Sequence, residues 1–190
     1  MIIQWIQDNI WEFSGIICSI LGVYFSIQQH LAAWIWNILG SLLFGILFYQ
    51  HGLYSDMELQ GFFIAMGLYG FYQWRKEDSH WKAEKSSTPL LIWGILFSLS
   101  YGMVVGFLHT RLTHWVSFAY LDATLTGLSI FGTWLAINKK IENWILWIII
   151  DIIYVLMYIQ KELWGTSLLY TLFIFLAIRG LYQWKNSLRS

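Results

Sequence analysis

"YGFYQWRK" (69–76) and "RGLYQWKN" (179–186) are the two stretches whose comparison decides the fold. Both read Gly-x-Tyr-Gln-Trp followed by a basic residue, with Gly70 and Gly180 standing 110 positions apart. The same offset holds upstream without a gap. "FFI" (62–64) meets "LFI" (172–174), Leu53 meets Leu163, Gln50 meets Gln160, and Trp34 meets Trp144. "SILGVYFSI" (19–27) meets "SIFGTWLAI" (129–137), and Glu12 meets Asp122. A shared apolar composition explains scattered Leu and Ile matches, but not a repeated Gly-x-Tyr-Gln-Trp in register. The chain reads as two copies of one unit.

The solvent of that unit follows from composition. Of 190 residues, 58% are hydrophobic and only 12% charged, against about a quarter charged in soluble domains. Such a chain sits mostly in lipid. A bilayer core of about 30 Å takes roughly 20 apolar residues per helix. Seven such runs fill the chain, at about 9–27, 32–50, 53–74, 88–109, 116–137, 143–160 and 163–184. Lipid cannot satisfy the backbone of open strands, and the alternation of a barrel is missing. The fold class is therefore an all-α integral membrane protein with seven transmembrane helices.

The repeat unit holds three spans, an odd number, so two units placed end to end would be inverted. Span 4 lies between them and restores their common direction. The expected architecture is 3+1+3 with parallel repeats in one transmembrane domain, 1–190. Repeat 1 covers about 9–74, a linker helix about 88–109, and repeat 2 about 116–184. Parallel repeats about an axis along the membrane normal are a transporter architecture, with the substrate site near midplane.

Several classes are excluded or disfavoured. A single cysteine, Cys18, in an apolar run argues against disulfides and cysteine-based metal sites. Net charge is zero, so no basic patch points to nucleic acid. "MIIQWIQDNIWEF" carries Asp8 and Glu12 and no basic residue, so no signal peptide is expected. There is no His/Cys cluster, Ser–His pairing or phosphate-binding glycine loop, and His30, His51, His80, His109 and His114 fall in or near connections. An enzyme, a cofactor and a metal are not expected.

The chemistry concentrates on span 6, "ENWILWIIIDII" (142–153) and onward. Trp144, Trp147, Asp151, Tyr154 and Tyr158 are spaced 3, 4, 3 and 4, which puts them on one helix face. The matching face of span 2 carries Trp34, Asn37, Ser41, Phe44 and Phe48, and span 3 adds Asp56 and Gln60. An Asp at the centre of a span costs about 2.5–3.5 kcal/mol on insertion scales, and such residues mark substrate or ion pathways. The plainer reading is an Asp bonded to neighbouring helices for assembly. Any single Trp is more often packing or an interfacial belt. The Trp–Trp–Asp combination on one face favours binding. Flat indoles take aromatic or cationic rings by stacking and cation–π attraction, and a carboxylate between them suits a cation or an amine donor. Trp144, Trp147, Asp151, Tyr154, Trp34, Asn37 and Gln60 are the candidate binding residues. Glu12 and Asp122, nearer span ends, are structural or gating candidates.

These residues resemble the Pnu family of bacterial vitamin transporters over almost the whole chain. In the first repeat the resemblance rests on "WNILGSLLFGILFYQHGLYSDMELQ" and "YGFYQW". In the second it rests on "YLDATLTGLSIFGTWLAINKKIENWILWIIIDIIY". The specific element is the family's Trp-x-x-Trp-x-x-x-Asn motif, here Trp144, Trp147 and then Asp151. The resemblance implies a full-length SWEET-like 3+1+3 fold in the bacterial inner membrane. It also implies facilitated diffusion of a vitamin, trapped inside by phosphorylation. The departure is Asp151 where nicotinamide riboside transporters place Asn. A carboxylate only accepts hydrogen bonds, whereas an amide also donates. That favours thiamine, with its aminopyrimidine and thiazolium, as in the family's thiamine-transporting PnuT branch. Nicotinamide riboside is the alternative. Proton-coupled transport through Asp122 or Asp151, and a non-transporting membrane receptor or assembly protein, are the competing readings. The expected partners are the vitamin and the bilayer, and a homo-oligomer is compatible with the sequence.

Orientation follows from basic loop residues. The N-terminal side and the 2–3, 4–5 and 6–7 loops hold Arg111 and Lys161 alone. The other side holds Arg75, Lys76, Lys82, Lys85, Lys139, Lys140, Arg179, Lys185 and Arg189. The N-terminus is expected outside and the C-terminus inside. A cysteine placed in the 75–87 loop should therefore resist impermeant thiol reagents in whole cells, and ready labelling there would overturn the orientation.

Overall fold

The computed structural model describes residues 10–50, 54–76, 82–112, 119–160 and 164–188. They form seven helices: α1 (Ile10–Ile27), α2 (Ala32–Gln50), α3 (Tyr54–Lys76), α4 (Thr88–Leu112), α5 (Ala119–Ile137), α6 (Glu142–Gln160) and α7 (Trp164–Ser187). The apolar runs anticipated each of them to within a few residues. Five helices are long and apolar enough to cross a membrane: α1, α2, α4 over Thr88–Arg111, α6, and α7 over Thr166–Ser187. The remaining two are α3 and α5. Helix α5 packs against both α4 and α6. It buries Ser129 and two glycines along with its apolar residues, so it has less need of an apolar surface. Helix α3 carries Asp56, Glu58, Arg75 and Lys76.

The chain divides into two compact units between residues 81 and 82. In the first, α1 packs on α2 and α2 on α3. In the second, α4 packs on α5, α5 on α6, and α6 on α7.

Each unit contains the same turn. At the end of α1, the His30 N–H donates to Phe25 O and the Gln29 N–H to Ser26 O, both at 3.0 Å. At the end of α5, the Lys140 N–H donates to Leu135 O at 2.8 Å and the Lys139 N–H to Ala136 O at 3.0 Å. These are the paired bonds of a Schellman stop, which needs a left-handed residue just past the helix. Gln29 (φ 55°) and Lys139 (φ 48°) supply it. Neither is glycine, although the conformation costs an L-residue about 1–2 kcal/mol. The donors and acceptors of the two turns all correspond at the 110-residue offset.

The long packing contacts repeat as well. Trp34 on α2 stands edge-on to Trp74 on α3, with centroids 5.3 Å apart at 85°. Trp144 on α6 stands edge-on to Trp184 on α7, at 5.4 Å and 89°. Each wedge tryptophan lies flat over a glycine. A Cβ on Gly70 would come within 2.6 Å of the Trp34 ring, and one on Gly180 within 2.6 Å of the Trp144 ring. The two glycines of the opening motif are thus the floors on which the two tryptophans rest.

Helix α4 shows a stripe that the sequence reading passed over: Gly94, Ser98, Gly102 and Gly106. These small residues meet Phe131, Gly127, Thr124 and Tyr120 of α5 in antiparallel order. Close approach at small residues is how helices associate in lipid, where burial from water drives nothing. The Ser98 hydroxyl is satisfied within its own helix by Gly94 O at 2.8 Å.

The segment leading into α4 is also tied down. The Glu84 N–H donates to Lys139 O at 3.1 Å, and the Ile141 N–H to Glu84 O at 3.0 Å. The Glu84 carboxylate pairs with Lys140 Nζ at 2.6 Å, and the Ser86 N–H donates to Glu142 Oε2 at 2.9 Å. The 3–4 connection and the α5–α6 turn therefore meet at one end of the unit, as expected for loops on one side of a membrane.

The glycine floor gives a direct test. Gly180→Ala should lower the melting temperature in detergent by the equivalent of about 1–3 kcal/mol, the usual cost of overpacking. Gly61→Ala should not, because a Cβ there meets nothing within 4 Å. Equal melting temperatures would show that the tryptophan does not depend on the floor.

Candidate functional site

Helix α6 carries five aromatic or acidic residues on one face, and the structure distributes them over two interfaces. Trp144 is 4% exposed and fully engaged by Gly180 and Trp184 of α7. Its counterpart Trp34 is 3% exposed and equally engaged by Gly70 and Trp74. In this conformation both are packing elements rather than open stacking surfaces, because each ring lies on a glycine of the neighbouring helix. Their indole N–H groups meet no acceptor among the described residues, which costs a buried donor about 1–3 kcal/mol.

Trp147 differs. It is half-buried, and its pyrrole edge lies 3.5 Å from where a Cβ on Gly132 of α5 would stand. One repeat away, the half-buried Asn37 fits against Gly22 of α1 in the same manner. Position for position, a flat indole in the second repeat stands where the first has an amide.

Asp151 is 4% exposed. It lies on α6 three residues before Tyr154. Tyr170 closes a triangle of rings: 5.1 Å from Tyr154, 5.2 Å from Tyr158, with Tyr154 and Tyr158 stacked at 5.7 Å and 16°. The Tyr170 and Tyr158 hydroxyls are hydrogen-bonded. The structure therefore brings Tyr154, which was anticipated, together with Tyr158 and Tyr170. Tyr170 was not singled out from the sequence. The signal was present, because Tyr170 stands at the 110-residue offset from Gln60, which was. Gln60 is half-buried on α3, with its Cβ 3.6 Å from the Cβ position of Gly45 on α2.

The first repeat holds a muted version of this cluster. Phe44 and Phe48 stack at 6.1 Å and 22°, where Tyr154 and Tyr158 do in the second. Ser41 stands at the position of Asp151. The charge and the phenol hydroxyls belong to the second repeat.

Glu12 and Asp122 lie half-buried in the first turns of α1 and α5. A carboxylate there complements the partial positive charge of a helix N-terminus, worth about 0.3–1 kcal/mol. That position favours their structural role. Among the described residues no group of three His, Cys, Asp or Glu side chains is placed to hold a metal.

Comparison with known proteins agrees with this layout. The family model described as "Nicotinamide mononucleotide transporter" matches residues 9–186. The nicotinamide riboside transporter PnuC of Escherichia coli (strain K12) is 29% identical over 210 residues, covering 96% of this chain and 88% of the relative. PnuC of Shigella flexneri matches with the same identity and coverage. Among solved structures, "Crystal structure of the Vitamin B3 transporter PnuC" superposes with a TM-score of 0.78 at 18% identity, covering 99% of this chain and 86% of that one. At that identity the superposition speaks for the fold.

The different settings of the two motif tryptophans can be separated by experiment. Trp144→Ala should destabilise the protein by about 3–5 kcal/mol, the usual cost of emptying a buried aromatic site, and Trp147→Ala by clearly less. Thermal melts of both variants in detergent decide it, and equal losses would contradict the wedge role of Trp144.

Proposed function

This chain belongs to the nicotinamide mononucleotide transporter family, and from that premise we propose that it carries nicotinamide riboside across the bacterial inner membrane. One observation bears most of the weight: the family model matches residues 9–186, and the named relatives, which are nicotinamide riboside transporters, align with 96% of the chain. A buried mid-span acid is costly unless it has work to do. Nicotinamide riboside presents a cationic pyridinium ring and a carboxamide. The ring suits the attraction of Asp151 and the open side of Trp147, and the carboxamide N–H suits a carboxylate acceptor. Trp147, Asp151 and Tyr154 are the proposed ligand contacts; Asn37 is the first repeat's counterpart of Trp147, and Gln60 that of Tyr170. Trp34 and Trp144 hold the helices that carry them. The repeats are proposed to form one parallel 3+1+3 domain, which the duplicated turns and wedges support. Uniport with intracellular trapping is the transport mode that the family resemblance implies.

Thiamine, the ligand favoured from the sequence, becomes the second reading. It rests on Asp151 alone, which replaces the family's Asn, whereas the named relatives are nicotinamide riboside transporters. Calorimetry with both vitamins on the wild type and on Asp151→Asn separates the two. Under the leading reading the wild type binds nicotinamide riboside, and Asp151→Asn, which restores the family motif, keeps that binding. Under the second, the wild type binds thiamine and Asp151→Asn weakens it about ten- to a hundredfold, the loss of one charge-assisted hydrogen bond. A wild type that binds neither vitamin overturns both.

A further inference from the structure

Helices α4 and α5 close on each other where Gly102 and Gly106 meet Thr124 and Tyr120. A Cβ on Gly106 would stand 2.7 Å from the Tyr120 ring, so the two backbones run close there. Beside that seam, Met103, Val104, Phe107 and Leu108 of α4 are exposed. Their spacing of 1, 3 and 1 keeps them on one helix face. With Tyr120 they line an open groove of about 340 Å³.

Arg111 stands at the rim of this groove. Its guanidinium lies over the Phe107 ring, one turn back along α4, at 5.2 Å from the centroid. Phe107 is itself a wall of the groove, so the charge is held against the groove's lining. No carboxylate pairs with Arg111 among the described residues. A contact through the face of the guanidinium leaves the N–H donors at its edge free to bind an anion. The connections on the same side of the helices hold one other basic residue, Lys161.

These observations choose the occupant. A groove in lipid fills with acyl chains whatever headgroup they carry, because tails and apolar walls are alike. Selectivity then has to come from a charge at the rim. Arg111 supplies one, in the residue type whose planar fork matches phosphate. A second copy of this chain suits the groove less well, since the lining holds no carboxylate to receive that copy's Arg111.

We propose that the α4–α5 groove and Arg111 together bind one anionic phospholipid, with a tail along the four α4 side chains and the phosphate on the guanidinium. The site lies on α4 and α5, away from the Asp151 face of α6, and does not depend on which vitamin the chain carries.

Native mass spectrometry of the full chain in detergent, titrated with phosphatidylglycerol or phosphatidylcholine, tests it. The proteins compared are wild type, Arg111→Gln, Arg111→Lys, Val104→Phe and the Arg111→Gln/Val104→Phe double variant. Val104 is 60% exposed, so the larger ring fills the groove and leaves the core alone. The wild type should retain one phosphatidylglycerol about fivefold more tightly than phosphatidylcholine, the equivalent of about 1 kcal/mol for one basic residue at a membrane surface. Arg111→Gln should abolish that preference, and Arg111→Lys should keep most of it. At limiting phosphatidylglycerol, Arg111→Gln and Val104→Phe should each retain one molecule fewer than the wild type. The double variant should also retain one fewer, because rim and groove hold the same lipid. Glycerophosphoglycerol, which has the headgroup and no tails, should not compete. A double variant that loses two molecules, competition by glycerophosphoglycerol, or an unchanged preference in Arg111→Gln overturns the proposal. So does a dimer mass that Val104→Phe abolishes, which would give the groove to a second copy.

Discussion

A tryptophan lying flat on a glycine is the contact on which much of this molecule depends. It occurs twice, as Trp34 over Gly70 and Trp144 over Gly180. In lipid there is no water to drive helices together, so association rests on close packing and interhelical hydrogen bonds. A large flat ring over a residue with no side chain gives close contact across two backbones. Trp74 and Trp184 then close the edge of each ring. The same reasoning explains the glycine stripe of α4 against α5. Helix pairs in both units are brought together by small residues facing large or branched ones.

The wedge also divides labour along α6. By committing Trp144 to α7, the fold leaves Trp147 half-exposed beside α5 and sets Asp151 one turn further on, beside the tyrosines. Within two turns, the tryptophans of one helix face meet two different neighbours, α7 and α5. A face that looks uniform on a helical wheel is therefore not uniform in packing. The α5–α6 turn below it is pinned through Lys139 and Lys140 to the segment before α4, so the start of α6 has a defined position.

Duplication gave the chain two copies of one scaffold, and the copies have kept their architecture while parting in chemistry. Turn, wedge and helix stop correspond bond for bond. Ser41, Phe44, Phe48 and Gln60 correspond at the 110-residue offset to Asp151, Tyr154, Tyr158 and Tyr170. Backbone geometry tolerates Phe for Tyr at no cost in packing, whereas a buried carboxylate must be compensated by its surroundings. Polarity could therefore accumulate in one copy only if it accumulated as a group.

The sequence by itself determined the medium, the helices and the duplication. Long apolar runs leave a backbone in lipid no choice but helix, and a gapless offset of 110 residues is visible without coordinates. It also located Asp151, because a charge in the middle of an apolar run is anomalous wherever the helix packs. Tertiary structure decided which aromatic residues are sealed in packing and which stay half-exposed. Trp144 and Trp147 are indistinguishable by type and share a helix face, yet one is sealed by Gly180, far away in the chain, and the other is not. It likewise decided that Tyr170 belongs with Tyr154 and Tyr158, across a helix boundary that periodicity along one helix cannot cross. The helix stops at Gln29 and Lys139 were hidden for a related reason. A left-handed residue is announced in sequence by glycine, and here the surrounding hydrogen bonds impose that conformation on residues that do not prefer it.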